Sequence, residues 1–235
     1  VDVDDAGIAT VLINRPEAMN ALNVTLVGQL GRVMEDLNGR SDVNTIVFEG
    51  AGKAFVAGAD VKFFVDMIAE DSFDKIEEFT KDGHSVLNMI EASPHNTIAL
   101  TTGLALGGGL ELALSCDYRV GTEKTMLRFP ETSIGIYPGL GGTQRATRVC
   151  GIEAARFAIL AGNFIDASTA NALGFITHLV DSSEISATVG TLASSGKPEE
   201  KYPGRPSDPS HPVSLMSKAF YSDVNMGAIL SGEVP

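Results

Sequence analysis

Gly103-Leu-Ala-Leu-Gly-Gly-Gly-Leu-Glu-Leu-Ala-Leu-Ser-Cys-Asp117 is the stretch on which the fold turns. An apolar run from Thr97 to Leu104 enters it and reads as a buried strand. After the glycines, Leu110, Ala113 and Leu114 recur at helical spacing. The chain therefore passes from strand to helix at Gly107-Gly108-Gly109. Residues without a side chain let another backbone or a ligand come close there, and the first N–H groups of a helix have no intrahelical acceptor. Such a turn is a donor site for a developing negative charge. Glu111 follows Gly108 by about one helical turn, which brings its carboxylate to the same space. A purely structural account competes with this. Glycine-rich strand-to-helix turns are common in α/β proteins, and the helix dipole favours an acid in a first turn whatever its use.

Working outward toward the N-terminus, Phe73, Ile76, Phe79, Val86, Leu87 and Ile90 mark a long helix, interrupted near Gly83 and closed by Pro94. Before it, Lys53-Ala-Phe-Val-Ala-Gly-Ala-Asp-Val61 reads as a strand end opening into a loop, with a further loop from Phe63 to Ser72. Thr45 to Glu49 is a strand. Leu26, Val27, Leu30, Val33, Met34 and Leu37 give an amphipathic helix after Asn23, stopped at Asn38-Gly39. Gly7 to Asn14 alternates as a strand does, and Arg15-Pro16 ends it.

Toward the C-terminus, Asp117 to Val120 and Leu127 to Phe129 are short strands. Pro130-Glu131 and a glycine-rich loop, Ile134 to Gly142, lead to helices at Thr143–Val149 and Ile152–Leu160. Asp166 caps a helix that stops at Gly174, and Phe175 to Val180 is a strand. Strands and helices alternate in strand-strand-helix steps, so the class is α/β. Beyond about Gly196 the texture changes. Prolines at 198, 203, 206, 209 and 212 precede a helix with one apolar face, Val213 to Leu230. Such a face needs the core or a partner subunit to cover it.

The 235 residues are 44% hydrophobic and 20% charged, enough apolar content for one globular domain with a sizeable core. No apolar run is long enough to span a bilayer, and no basic segment with a cleavage site opens the chain, so a cytoplasmic location is expected. A formal charge of −13 argues against nucleic acid or an anionic membrane as partner. Cys116 and Cys150 sit in apolar helical pattern without a CxxC spacing and read as reduced core thiols. His84, His95, His178 and His211 do not cluster with the motifs, and no metal is called for.

Four motifs in one order resemble those of the enoyl-CoA hydratase/isomerase (crotonase) superfamily, from about Ile8 to Val180. They are Asn14-Arg-Pro-Glu-Ala-Met-Asn-Ala-Leu22; Ala54-Phe-Val-Ala-Gly-Ala-Asp-Val61; Gly103 to Ala113 running into Cys116-Asp117; and Phe129-Pro-Glu131 followed by Gly135-Ile-Tyr-Pro-Gly-Leu-Gly-Gly-Thr-Gln-Arg145. One glycine motif is weak evidence, whereas four in register are strong.

The resemblance implies a crotonase-like (ClpP/crotonase) spiral of repeated strand-strand-helix units. It also implies a coenzyme A thioester whose oxygen lies between two backbone N–H groups, here those of Ala59 and Gly108. Hydratases of the family resemble this chain in having two acids, here Glu111 and Glu131, whereas many isomerases keep one. The implied reaction adds water across the 2,3 double bond of a trans-2-enoyl-CoA, with Glu111 activating water and Glu131 supplying the C2 proton. Ala57, Ala59, Asp60, Val61, Lys62 and Gly108 would line the coenzyme A, with Arg15 and Lys53 weaker phosphate candidates. No further cofactor is implied. Residues 1–196 would form the acyl-CoA-binding core, and 197–235 a proline-rich segment with an incomplete helical part.

Members of the family gather as trimers or pairs of trimers, and a homotrimer or a dimer of trimers is expected here. The short tail and Val1 in place of an initiator Met suggest a hydratase part of a longer polypeptide, with a 3-hydroxyacyl-CoA dehydrogenase as its neighbour. Besides an isomerase of the same fold, two other classes compete. Gly103-x-Ala-x-x-Gly108 with Glu123 some way on resembles a dinucleotide fingerprint, although its middle glycine is Ala105 and it stands mid-chain. An idle acyl-CoA-binding or assembly subunit would keep the fold without the chemistry.

Overall fold

The computed structural model describes residues 1–202. The chain begins with β1 (Asp2–Val3), β2 (Ile8–Ile13) and α1 (Val24–Asn38), then runs β3 (Thr45–Gly50), β4 (Ala54–Ala57), α2 (Val61–Ala69) and α3 (Phe73–Glu91). There follow β5 (Asn96–Thr101), β6 (Leu104–Leu106), α4 (Gly108–Ser115), β7 (Tyr118–Gly121), β8 (Met126–Arg128) and α5 (Gly142–Ala161). The described part ends with β9 (Ile165–Asp166), α6 (Ala167–Ala172), β10 (His178–Leu179) and α7 (Ile185–Ser195).

Two sheets share these strands. One has the order β1-β2-β3-β5-β7-β10, the other β4-β6-β8-β9. Pairing is parallel except at the edge contacts β1–β2 and β8–β9. Successive strands go to alternate sheets, β3 then β4, β5 then β6, β7 then β8, and helices return the chain between steps. This is the spiral of strand-strand-helix units that the sequence resemblance implies. Burial follows position. β2, next to the edge, alternates, with Ala9, Val11 and Ile13 inside and Leu12 exposed, whereas central β5 is buried at every residue.

α1 buries Val27, Leu30, Met34 and Leu37 as one stripe and packs on α3; the Asn23 side chain caps it by accepting the Leu26 N–H at 2.9 Å. α4 has no solvent face: all eight residues are buried, which suits a helix apolar on nearly every side. Gly109 explains how tightly it docks, because a β-carbon there would collide with the Val56 carbonyl of β4.

Several sequence expectations need correction. The apolar run before the glycines is two strands, β5 and β6, divided at Gly103 between the two sheets. α3 is continuous through Gly83, which is bare because Leu140 packs on it, not because the helix breaks. Residues 61–69 form α2 instead of loop, so Val61 and Lys62 open a helix. β10 is only two residues of the strand expected over 175–180. α7 and β1 were not foreseen. The two helices expected after Gly142 are present as α5, divided at Gly151, where the backbone leaves helical geometry. The dinucleotide alternative fails on topology: a strand, β6, lies between Gly103 and Gly108, and Glu123 lines a separate acidic cavity with Asp166 and Asp181. The proposed tail helix, residues 213–230, and His211 lie outside the described residues. No helix among the described residues is long and apolar enough to cross a membrane.

Candidate active site

Three segments converge because three parallel strands end together. In the small sheet, Ala57 of β4 pairs with Leu106 of β6, and Leu106 with Arg128 of β8. Two residues beyond that line stand Ala59 and Gly108, and three past the end of β8 stands Glu131. Register alone thus gathers residues far apart in sequence at one end of a sheet, where parallel α/β proteins place their sites.

Ala59 presents its N–H by way of a single parallel bridge with Leu22. Leu22 makes both bonds of that bridge, its N–H donating to Gly58 O at 2.8 Å and its O accepting from Asp60 N at 2.8 Å. Ala59 must therefore turn its own N–H the other way. Gly108 opens α4, and the first intrahelical bond, Glu111 N–H to Gly107 O at 2.9 Å, lies after it. Neither the Ala59 nor the Gly108 N–H has an acceptor among the described residues. A β-carbon on Gly108 would stand 3.9 Å from Ala59 N, with Leu22 and Leu140 methyls at 3.2 and 3.4 Å as apolar walls. Two unclaimed donors, one at a helix N-terminus, face one space between hydrocarbon side chains.

The Ala57–Ala59 turn is braced from behind. Asn20, fully buried, donates through Nδ2 to the carbonyls of Ala51, Ala54 and Phe55, and its Oδ1 accepts the Arg15 N–H. Arg15 donates to Ala21 O and pairs with Asp60 at 3.0 Å. The first motif thus carries architecture: Arg15, a phosphate candidate from sequence, is tied to the carboxylate of Asp60, another site candidate. Lys62 is exposed on the rim of a cavity of about 340 Å³ that Asp60 and Asp66 share. Lys53 is exposed just before β4.

Glu111 is 1% exposed, and its Oε1 accepts two backbone N–H groups, from Leu140 and Gly142, each at 2.7 Å. Burial pushes its pKa up to about 7; the two amides oppose the rise and the charge of Glu131 adds to it. Glu131, in a 3₁₀ turn after Pro130, is also buried. Its Oε1 lies against Gly107, where a β-carbon would stand 2.5 Å away, and its Oε2 has no partner among the described residues. Burial raises its pKa as well. The amides of the 139–142 loop were not foreseen in the sequence, because backbone donors leave no mark on residue type.

Cys116 and Cys150 are buried and in no disulfide, their thiols donating to Leu112 O and Ala146 O and pushed by burial up to about 12. Among the described residues no group of three or more His, Cys, Asp or Glu could hold a metal ion.

The α/β spiral thus brings two buried acids and two free amides to the C-terminal ends of its parallel strands, and comparison with known proteins places the chain in a family. Residues 8–214 match the family model for enoyl-CoA hydratase/isomerase. The chain is 36% identical over 187 residues to the short-chain-enoyl-CoA hydratase of Clostridium acetobutylicum, covering 79% of this chain and 70% of that protein. The crotonyl-CoA hydratase of Syntrophomonas wolfei is 36% identical over the same shares. The crystal structure of an enoyl-CoA hydratase from Bacillus anthracis superposes with a TM-score of 0.75 at 31% identity, over 80% of this chain and 72% of that one. The chain belongs to the enoyl-CoA hydratase/isomerase family.

Proposed function

We propose that the chain hydrates trans-2-enoyl-CoA thioesters reversibly to 3-hydroxyacyl-CoA. The observation that carries this is the meeting of Glu111 and Glu131, both buried, beside the free N–H groups of Ala59 and Gly108. The thioester oxygen accepts from those two N–H groups. Water held between the acids attacks C3, its proton passes to Glu111, and the π electrons move through C2 to the oxygen as an enolate. That charge grows where two fixed donors already point, and loss of one such donor costs about 3 kcal/mol in comparable sites. Glu131 then gives its proton to C2, and the carbonyl is restored.

The assignment of roles follows from hydrogen bonding. Oε1 of Glu111 accepts two N–H groups and cannot itself carry a proton, which suits a base held at a fixed angle. Glu131 has an oxygen without a donor facing it, so a proton there loses no bond. Burial favours the protonated form of both acids, and the charge of Glu131 adds to the rise at Glu111, which suits a site where one acid gives a proton and the other takes one.

Coenzyme A would run past Ala57, Ala59, Asp60, Val61 and Lys62, and no other cofactor is needed. A homotrimer or a dimer of trimers, a cytoplasmic location and a fused 3-hydroxyacyl-CoA dehydrogenase, which would consume the product, belong to the same proposal. Sedimentation and the intact mass of the native protein test the assembly and the fusion. The reaction itself is tested by loss of enone absorbance with crotonyl-CoA, using Glu111→Gln and Glu131→Gln as controls. Activity in wild type and loss in both variants supports hydration. Conversion of a 3-enoyl-CoA with no uptake of water would assign the isomerase instead, and equal inactivity of all three folded proteins would leave an idle subunit.

A further inference from the structure

Arg145 is an arginine almost without exposure, placed one turn into α5, and one side of it is bonded to the loop that grips Glu111. Its Nη1 donates to Leu140 O at 2.9 Å, and its backbone N–H to Gly141 O at 2.8 Å. Leu140 is the residue whose own N–H donates to Glu111, and Gly141 lies between the two gripping amides. Gly141 has φ 97°, and a β-carbon there would collide with the Arg145 guanidinium, so the loop is shaped around that group. The other side of the guanidinium is fixed by α3. Nε donates to Glu91 Oε2 at 2.8 Å, and Nη2 donates to Asn88 Oδ1 at 2.7 Å while pairing with Glu91.

Glu91 is itself held. The Tyr202 hydroxyl donates to its Oε1, and Arg148 stands 3.9 Å from the same oxygen. Burial works against this carboxylate, yet Tyr202 and Arg145 hold its pKa below the ordinary value, so it is an anion at neutral pH. A planar fork anchored by a carboxylate is a rigid support, and lysine cannot reproduce it.

We infer that Arg145, anchored by Glu91, is a positioning residue that fixes the 140–142 loop so that two amides hold Glu111 at one angle. It touches neither substrate nor reacting atoms and acts through the loop. This builds on the hydratase reading of the site, and the test therefore includes a readout that needs no turnover.

The measurement is the titration of the Glu111 carboxyl carbon by ¹³C NMR in the full chain, assigned by its loss in Glu111→Gln. Two variants set charge against geometry. Arg145→Lys keeps the positive charge but loses the fork. Glu91→Ala removes a negative charge, which by Coulomb's law alone would lower the Glu111 midpoint, while releasing the loop removes amide donors and raises it. The expected result is a rise of about one pH unit in both. With it, kcat for crotonyl-CoA falls about 10²-fold and KM stays within about twofold, as for a misplaced base rather than a lost binding contact. Glu91→Gln, which keeps an acceptor for the guanidinium, restores most of kcat.

An unmoved midpoint in folded Arg145→Lys, or a lowered one in folded Glu91→Ala, overturns the inference. If Glu91→Ala does not fold by circular dichroism, Arg145→Lys decides alone. Raised midpoints in a protein whose wild type does not hydrate crotonyl-CoA would leave the positioning role standing and remove the reaction.

Discussion

Glu111 and Glu131 stand at the same end of the same sheet and are held in opposite ways. Glu111 rides on α4, a helix with no solvent face, and two amides from another segment grip one of its oxygens. Glu131 sits in a single 3₁₀ turn after β8 and keeps an oxygen without a partner among the described residues. A carboxylate that must accept a proton from water at a fixed angle gains from such a grip. One that must deliver a proton to carbon gains from an oxygen that no donor occupies. On the proposed hydratase reading, the division of labour would lie in the backbone around the acids, not in the acids, which are chemically identical.

The largest effect comes from removing each charge. Glu111→Gln and Glu131→Gln are each expected to lower kcat for crotonyl-CoA about 10³-fold, the scale of a lost general acid or base. Because the two act on one proton path, the double variant should lose little more than either single one. A double variant that loses the product of the two effects would mean the acids work independently, and the comparison would be broken.

Next in size is the pH dependence of folding. Glu111 has a folded pKa of about 7, raised by burial from an ordinary value of 4.5. The stability linked to this group is full below about pH 4.5 and is lost as pH rises through about 7. Wild type should thus lose roughly 3 kcal/mol relative to Glu111→Gln between those two values. Denaturant melts of both proteins at pH 5 and pH 8 read it. Equal pH slopes in the two would show that Glu111 is not the buried, strained acid of the pair.

How much of this was legible in the sequence depends on what each feature leaves in residue type. The helix stripes of α1 and α3 were plain because they bury apolar residues at regular spacing. α7, Ile185–Ser195, was not, since its residues are mostly Ser, Thr, Ala and Gly and only Leu192 is buried. A signal did exist there: Asp181 and Glu184 form a reciprocal capping box one turn before it. α2 was read as loop although Phe63, Phe64 and Met67 form a half-buried stripe; Val61, Val65 and Ile68, apolar and exposed, lie beside it and blur the contrast between faces. The two acids were visible as side chains in motifs. Their unequal grip was not, because amides at Leu140 and Gly142 are the same in every residue, and the ties from Lys197 and Lys201 to Asp117 join segments far apart in the chain.

A third test probes the grip by sterics. A β-carbon on Gly142 would stand 2.9 Å from both Cγ and Oε1 of Glu111, and one on Gly107 would stand 2.5 Å from Oε1 of Glu131. Glu111 cannot yield without leaving its amides, whereas the end of Glu131 is free on one side. Gly142→Ala should therefore cost about 10²-fold in kcat. Gly107→Ala should cost nearer tenfold, together with a stability loss of about 3 kcal/mol for a side chain at φ 45°, ψ −121°, a conformation outside the left-handed helical region. The reverse order in crotonyl-CoA turnover would mean that Glu131, not Glu111, is the acid whose placement limits the reaction.

The smallest effect is electrostatic and tests whether the two acids sense each other at all. The charge of Glu131 helps to raise the pKa of Glu111, after burial and against the Gly142 amide. Glu131→Gln removes that charge while keeping a side chain of nearly the same shape, so the Glu111 midpoint should fall by less than about one pH unit. The same ¹³C titration reads it, without any need for turnover. A fall places both carboxyls within Coulomb range of one shared proton, as alternating donor and acceptor require. No change would mean that water or protein screens them from each other, and then a proton taken by Glu111 from water would have no influence on the readiness of Glu131 to give one up.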